Sequence, residues 1–276
     1  MTGKKSNPLF IVILCIATVI FIAPVIIVLV NSFKGQFYIA DRPFELPGAD
    51  TFVKFENYIN GIRKTNFIRA FLYSLFITVF SVTGILFFTS MTSWYITRLK
   101  NKITSALYYM FVFSMIVPFQ MVMFTMSKMA NVLRLDNLIG IVVIYIGFGS
   151  GLSIFMFSGF IKSIPLEIEE AATIDGCNPL QTFFLVIMPI LKPTAITIAI
   201  LNAMWIWNDY LLPYLVIGNK YKTIPIAVQY LQGGYGSRDM GALMAMLVLS
   251  VIPIIIFYIS LQKHIIKGVV SGAVKG

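Results

Sequence analysis

The chain has 276 residues, 58% of them hydrophobic and only 12% charged, with a mean hydropathy of +0.88. That balance excludes a soluble globular domain and marks an integral membrane protein. The net charge of +10 comes from Lys and Arg scattered over helix ends and loops, which fits anchoring at lipid headgroups and gives no continuous stripe for nucleic acid.

A hydrocarbon core of about 30 Å takes roughly 20 apolar residues as helix. Six such runs lie near Pro8 to Val30, Phe67 to Ile96, Ile103 to Met126, Leu138 to Ile161, Thr194 to Ile217 and Met240 to Leu261. The expectation is all-α: a polytopic membrane protein with six transmembrane helices in a single domain over 1–276. The first run follows Lys4 and Lys5 as a signal peptide would, but it is longer than an h-region of about 7 to 15 residues and no Ala-x-Ala pattern follows. It reads as a retained signal anchor.

The segment Gly35 to Asn66 mixes aromatics with Asp41, Arg42, Glu45, Asp50 and Glu56 and is too polar for lipid. Pro24, Pro118 and Pro253 interrupt three runs, either as bends at a gate or as passive kinks. Gly147, Gly149 and Gly151 follow no strand and make no phosphate loop; they suit close helix packing or a local bend. Cys15 and Cys177 read as small packing residues, with neither a disulfide nor a metal site expected.

Between the fourth and fifth runs lies a polar island from Ser163 to Pro189, too short and too polar to cross a bilayer. Ser163 is available as a cap and Pro165 suits a helix start. Glu167, Glu169 and Glu170 crowd the first turns, where the helix dipole favours negative charge. Gly176 is a stop, and Asn178, Pro179 and Gln181 have the spacing of a second capped start, so two short helices at an angle are expected. On the first, Ile168, Ala171, Ala172 and Asp175 share one face, and Glu167, Glu170 and Ile174 the next. The alanines beside carboxylates make either a low ridge for docking into another protein or an ordinary solvated loop helix.

At about 100° per residue, Thr194, Thr197, Asn202, Trp205, Asn208 and Asp209 fall on one arc of the fifth run. Either they line a path, with amide and aromatic groups turned toward a solute, or they bond between helices and anchor at the outer interface. His264 is the only histidine, which reads as an interfacial or helix C-terminal cation. No catalytic triad, histidine metal cluster or P-loop can be assembled, so no enzymatic activity and no cofactor bound by this chain are expected.

Basic residues do not orient the chain. A cytoplasmic N-terminus puts ten of them inside and eleven outside, although Arg98, Lys100 and Lys102 in one short loop favour that loop being cytoplasmic.

Glu170, Ala171, Ala172, then Gly176, then Val186, Met188 and Pro189 closely resemble the EAA signature of membrane subunits of ATP-binding-cassette importers, which ends in Ile-x-Leu-Pro. The resemblance covers almost the whole chain and is closest to the carbohydrate-uptake branch, the maltose-transporter-type second permease. It is carried also by Asn31 to Lys34, Leu135 to Asn137, Ile174 to Gly176, Trp207 to Pro213 and the tail Gly272 to Gly276. Tyr73 precedes Ser74 where many members have Asn. The texture is most similar to multiple-sugar or raffinose permeases of Gram-positive bacteria.

The resemblance implies a permease domain with a cytoplasmic coupling loop at about 162–192, cytoplasmic N- and C-termini, and a bacterial plasma membrane. The coupling residues it implies are Glu167, Glu170, Ala171, Ala172, Asp175, Gly176 and Pro189. It further implies a homologous second permease, two ATPase subunits carrying ATP and Mg, and an extracellular sugar-binding protein. An oligosaccharide is the expected cargo. The alternatives are an ion-coupled secondary transporter, or a permease of the same kind for glycerol-3-phosphate or another non-sugar solute.

Overall fold

A computed structural model describes residues 8–218, 220–232 and 238–273, except for the side chains at 261 and 263–273. Lys4, Lys5, the last three residues of the tail and the side chain of His264 lie outside that description. Most of the described residues are helical, with an isolated bridge between Lys34 and Phe52. In chain order they form α1 (Pro8–Asn31), α2 (Gln36–Asp41), α3 (Glu56–Thr65), α4 (Phe67–Arg98), α5 (Lys102–Ile116), α6 (Phe119–Val132) and α7 (Leu138–Ile161). Then come α8 (Glu167–Ile174), α9 (Pro179–Gln181), a wide π turn (Thr182–Ile187), α10 (Met188–Asn208), α11 (Leu211–Ile217), α12 (Ile224–Gln229) and α13 (Met240–Ala273).

Among the described residues five helices are long and apolar enough to cross a membrane, and a sixth span exists if the bent pair α5 and α6 counts as one. That pair corrects the expected straight run from Ile103 to Met126, because its axes differ by 105°. Pro118 forces the break: Val117 before it is extended (φ −72°, ψ 116°), as the pyrrolidine ring demands of its predecessor. Pro24 and Pro253 stay inside continuous helices.

The fifth run also differs from expectation at both ends. Its helix begins before Thr194, running back through the π turn to Pro179, so the island holds one short helix followed by the start of a long one. Toward its other end the helix stops at Asn208. Asp209 is extended (ψ 124°), and its Oδ1 accepts from the backbone N–H groups of Leu211 and Leu212 at 3.0 and 3.4 Å, starting α11.

The chain divides into two compact units. In one, Met1–Arg69 with Ala227–Pro253, the run Asn31 to Lys34 closes α1 into a polar knot. Asn31 donates to the carbonyls of Ile27 and Pro43, both at 2.8 Å, and buried Lys34 donates to the carbonyl of Arg42 at 2.7 Å. The buried Asn57 amide donates to the carbonyls of Ser32 and Lys34, each at 2.8 Å, so α3 is tied to the end of α1. Phe33 packs among Phe52, Phe55 and Tyr58. Gly61 lets α3 lie against α13, since a Cβ there would meet Met246 Cε at 2.7 Å. The Lys64–Asp239 ion pair, at 2.6 Å, ties α3 to the residue just before α13.

In the other unit, Ala70–Ile226 with Ile254–Gly276, the core is built on α7, where Ile141, Tyr145, Phe157 and Ile161 are fully buried with Ile85 of α4 and Leu191 of α10. Gly149 and Gly151 serve close packing: a Cβ on Gly149 would meet the Ile85 side chain and Asn202 Oδ1, and one on Gly151 would lie 2.8 Å from the Phe111 carbonyl. Gly147 faces open space. Asn137 caps α7 through Ile139 and Gly140, while Asp136 beside it pairs with Lys220 at 2.6 Å. Ser74 accepts from the Ile224 N–H at 2.9 Å, and Tyr73 meets Tyr221 edge to face.

Candidate functional site: an anchored elbow between two long helices

At about 1.5 Å per residue, the 32 residues of α4 span roughly 48 Å, well beyond the hydrocarbon thickness. The helix is thus longer than the lipid core is thick, and α8 is fastened at its C-terminal end. Leu166 stands at the N-cap of α8, and the Ser163 hydroxyl donates to the Phe160 carbonyl of α7, so the expected Ser163 cap is not used. Glu167, Glu169 and Glu170 fill the first turn as the helix dipole favours.

The signature spacing from Ala172 to Gly176 has a backbone cause. Gly176 sits at φ +84°, its N–H donates to the Thr173 carbonyl at 3.0 Å, and the Cys177 N–H donates to the Ala172 carbonyl at 2.9 Å. This is a Schellman stop, in which the residue after the helix must be left-handed. Asn178 and Gln181 then form a reciprocal capping box with Pro179 in the first turn, as the spacing predicts. Pro189 has no N–H to offer Leu185 one turn back and its ring crowds that carbonyl. The wide turn Thr182–Ile187 opens the helix just before it.

The three glutamates have different fates. Glu167 and Glu170 are exposed, whereas Glu169 is 8% exposed and turns inward. Its Oε1 accepts from Arg98 Nε at 2.7 Å and pairs with Arg98 Nη2 at 2.6 Å, and its Oε2 accepts from Trp94 Nε1 at 3.0 Å. Arg98 also donates to the Ile164 carbonyl at 3.1 Å, and the Trp94 ring packs on Phe183 of the wide turn at 5.5 Å between centroids. One joint thus fastens α8, the end of α4 and the head of α10. The sequence reading missed Trp94 and Arg98 and treated Glu169 as one more dipole charge. Glu169 shares one side of α8 with Ala172, three residues on, but that spacing points inward only once Ala172 is seen to be buried.

What remains outward is a crest of Glu167, Glu170, Ala171, Asp175 and Gly176, with Ile174 left 86% exposed. Ala172 is not on it; it is buried. Pro189 is exposed further along.

The second set of candidate residues splits by depth. Thr194 and Thr197 are half-buried, the latter donating to the Pro193 carbonyl at 3.2 Å. Asn202 is 3% exposed and donates to Ser153 of α7 at 3.3 Å, so its amide bonds between helices. Trp205 and Asn208 are exposed. Half-buried Asp209 accepts from the Tyr145 hydroxyl at 2.9 Å, and the Tyr145 ring meets Trp205 edge to face. Tyr145 therefore belongs with this group. It went unnoticed because it lies 64 residues from Asp209 in an unremarkable apolar run. Among the described residues no three His, Cys, Asp or Glu converge to hold a metal ion.

Comparison with known proteins follows the same outline. The family model described as binding-protein-dependent transport system inner membrane component matches residues 90–271. The chain is 37% identical to the "probable starch degradation products transport system permease protein" of Thermoanaerobacterium thermosulfurigenes, covering 94% of each chain. It is 32% identical to the multiple sugar-binding transport system permease protein of Streptococcus mutans, covering 96% of this chain and 95% of that one. Among solved structures it is similar to a chain of a bacterial ABC transporter involved in the import of the acidic polysaccharide alginate, with a TM-score of 0.78 and 25% identity over 95% of this chain and 99% of that one.

Proposed function

From the premise that the chain belongs to the binding-protein-dependent transport system inner membrane components, the membrane-spanning permeases of ABC importers, we propose that it carries an oligosaccharide across a bacterial plasma membrane. The cargo class is supported by relatives named for starch degradation products and multiple sugars. The family gives no footing to an ion-coupled secondary transporter.

The observation that carries the mechanism is the elbow itself: an exposed acidic crest with Ile174 at its top, fastened through Glu169 to α4. In this reading α8 docks into a cytoplasmic ATPase subunit, which places both termini in the cytoplasm. Two such subunits hold ATP and Mg, a homologous permease completes the pathway, and a sugar-loaded binding protein meets the outer side, where the polar segment Gly35 to Asn66 receives it. Closure of the ATPases on ATP pushes α8. Because Arg98 and Trp94 hold α8 against α4, the push reaches both long helices together and turns the cavity outward. Trp205, Asn208 and Asp209 are the groups best suited to meet sugar, by aromatic packing and hydrogen bonding, while buried Tyr145 holds Asp209 and Trp205 in place behind them. The chain has no catalytic role of its own.

Reconstitution with candidate ATPase, partner permease and binding protein tests the cargo, using galactosides, maltodextrins and glycerol-3-phosphate. Stimulation of ATP hydrolysis by an oligosaccharide is expected; stimulation by glycerol-3-phosphate alone overturns it.

A further inference from the structure

Beside the elbow's anchor, where the ends of α4, α5 and α7 come together, lies a hollow of about 440 Å³ that the transport mechanism does not use. Its basic lining is Arg98, Lys100 and Lys162. Arg98 already faces Glu169, but neither lysine has a carboxylate partner among the described residues, and Lys162 Nζ lies 5.2 Å from the centre of the Tyr108 ring. Two hydroxyls in the lining, Thr97 Oγ1 and Ser158 Oγ, are buried with no hydrogen-bond partner, although Ser158 is only 1% exposed. A buried hydroxyl without a partner is costly and uncommon. Cations and idle donors around one cavity describe a place for an oxyanion.

The surroundings narrow the choice. Leu99 and Ile103, chain neighbours of the lining residues, are 44% and 71% exposed, and Tyr109 at the wall is 69% exposed. A ligand with a phosphate in the hollow and alkyl chains alongside satisfies both the donors and this apolar rim. A bare phosphate leaves the rim uncovered and most of the volume to water. We infer that the hollow binds the headgroup phosphate of an anionic phospholipid of the inner leaflet, with its acyl chains along Leu99 and Ile103. The sidedness in that statement rests on the reading of α8 as cytoplasmic. A lipid seated there touches α4, α5 and α7 next to the Glu169 joint, so coupling through the elbow depends on anionic lipid.

Native mass spectrometry of the purified transporter complex, titrated with phosphatidylglycerol, phosphatidylcholine or inorganic phosphate, tests this, with K100Q/K162Q and S158A as variants. The expected result is a preference for phosphatidylglycerol that falls about tenfold in K100Q/K162Q and measurably in S158A, with no competition from inorganic phosphate. Equal binding of the two lipids, or a preference unchanged in both variants, overturns the site. Competition by inorganic phosphate overturns the lipid assignment. Sidedness is read separately, by labelling Lys100→Cys in intact cells with an impermeant maleimide. Labelling from outside contradicts the cytoplasmic reading without touching the binding result.

Discussion

Removing either end of the Arg98–Glu169 pair should uncouple the elbow while leaving it in place on the chain. In Glu169→Ala, the guanidinium keeps only its bond to the Ile164 carbonyl, and the Trp94 N–H loses its acceptor. In Arg98→Ala, the carboxylate keeps only Trp94. Breaking a buried ion pair from one side costs about 3 to 5 kcal/mol. The Arg98 side chain is 20% exposed and that of Glu169 11%, so water offsets part of this and about 3 kcal/mol is the reasonable figure. That is roughly a hundredfold shift toward a released α8. In proteoliposomes containing the assembled transporter, each variant should keep ATP hydrolysis yet lose more than about tenfold in sugar uptake per ATP. Because the two residues act through one joint, the double variant should be no worse than either single, with a coupling energy of about 3 kcal/mol in thermal denaturation. Unchanged uptake per ATP in the singles, or a double loss equal to their sum, refutes the joint as the transmitting element.

The crest makes its own demand. Glu170→Lys reverses an exposed charge at the docking face and Gly176→Asp puts a side chain at φ +84°. Both should reach the membrane in normal amount and lose at least about tenfold in uptake, as read by immunoblot and labelled-sugar assay. Asn57→Ala leaves the buried carbonyls of Ser32 and Lys34 without their donor, at a cost of about 1 to 3 kcal/mol. The segment between α1 and α4 should then be cut more readily in limited proteolysis.

The pair Asp136–Lys220 predicts a pH dependence. The hydrogen bond from Lys220 holds the Asp136 carboxyl below its usual 3.8, and the same bond raises Lys220 above its usual 10.5. The acid's contribution is present above 3.8 and is lost as pH falls through the lowered value. That of the lysine is full below 10.5 and is lost as pH rises through the raised one. Between these limits the pair holds the start of α7 to the chain after α11, and Asp136→Asn should lessen the acid-side loss in a melting curve against pH, leaving the share carried by Asp239, whose carboxyl is also lowered.

What could be read from the sequence was what neighbours decide. The stop at Gly176, the capping box from Asn178 to Gln181 and the bounds of α7 all depend on residues within a turn or two of each other, and the structure has them where the spacing puts them. Hydropathy gave the number of spans but not their direction. Pro118 turns the chain by 105° while Pro24 and Pro253 are absorbed, and apolar length is the same signal in each case. The inward turn of Glu169 depends on Arg98, 71 residues earlier, and no pattern within the island distinguishes it from Glu167 or Glu170. Likewise an arc of the fifth helix wide enough to hold six residues also covers the side that packs on α7, which is where Asn202 went.

Site-directed cross-linking at Ile174 tests the account most directly. With Ile174→Cys at the top of the crest, the assembled transporter should yield a cross-link to the ATPase subunit whose strength changes on adding ATP, and intact cells should leave the thiol unmodified by an impermeant reagent. Modification from the outer face, or an elbow that cross-links to nothing in a complex that still transports, would contradict it.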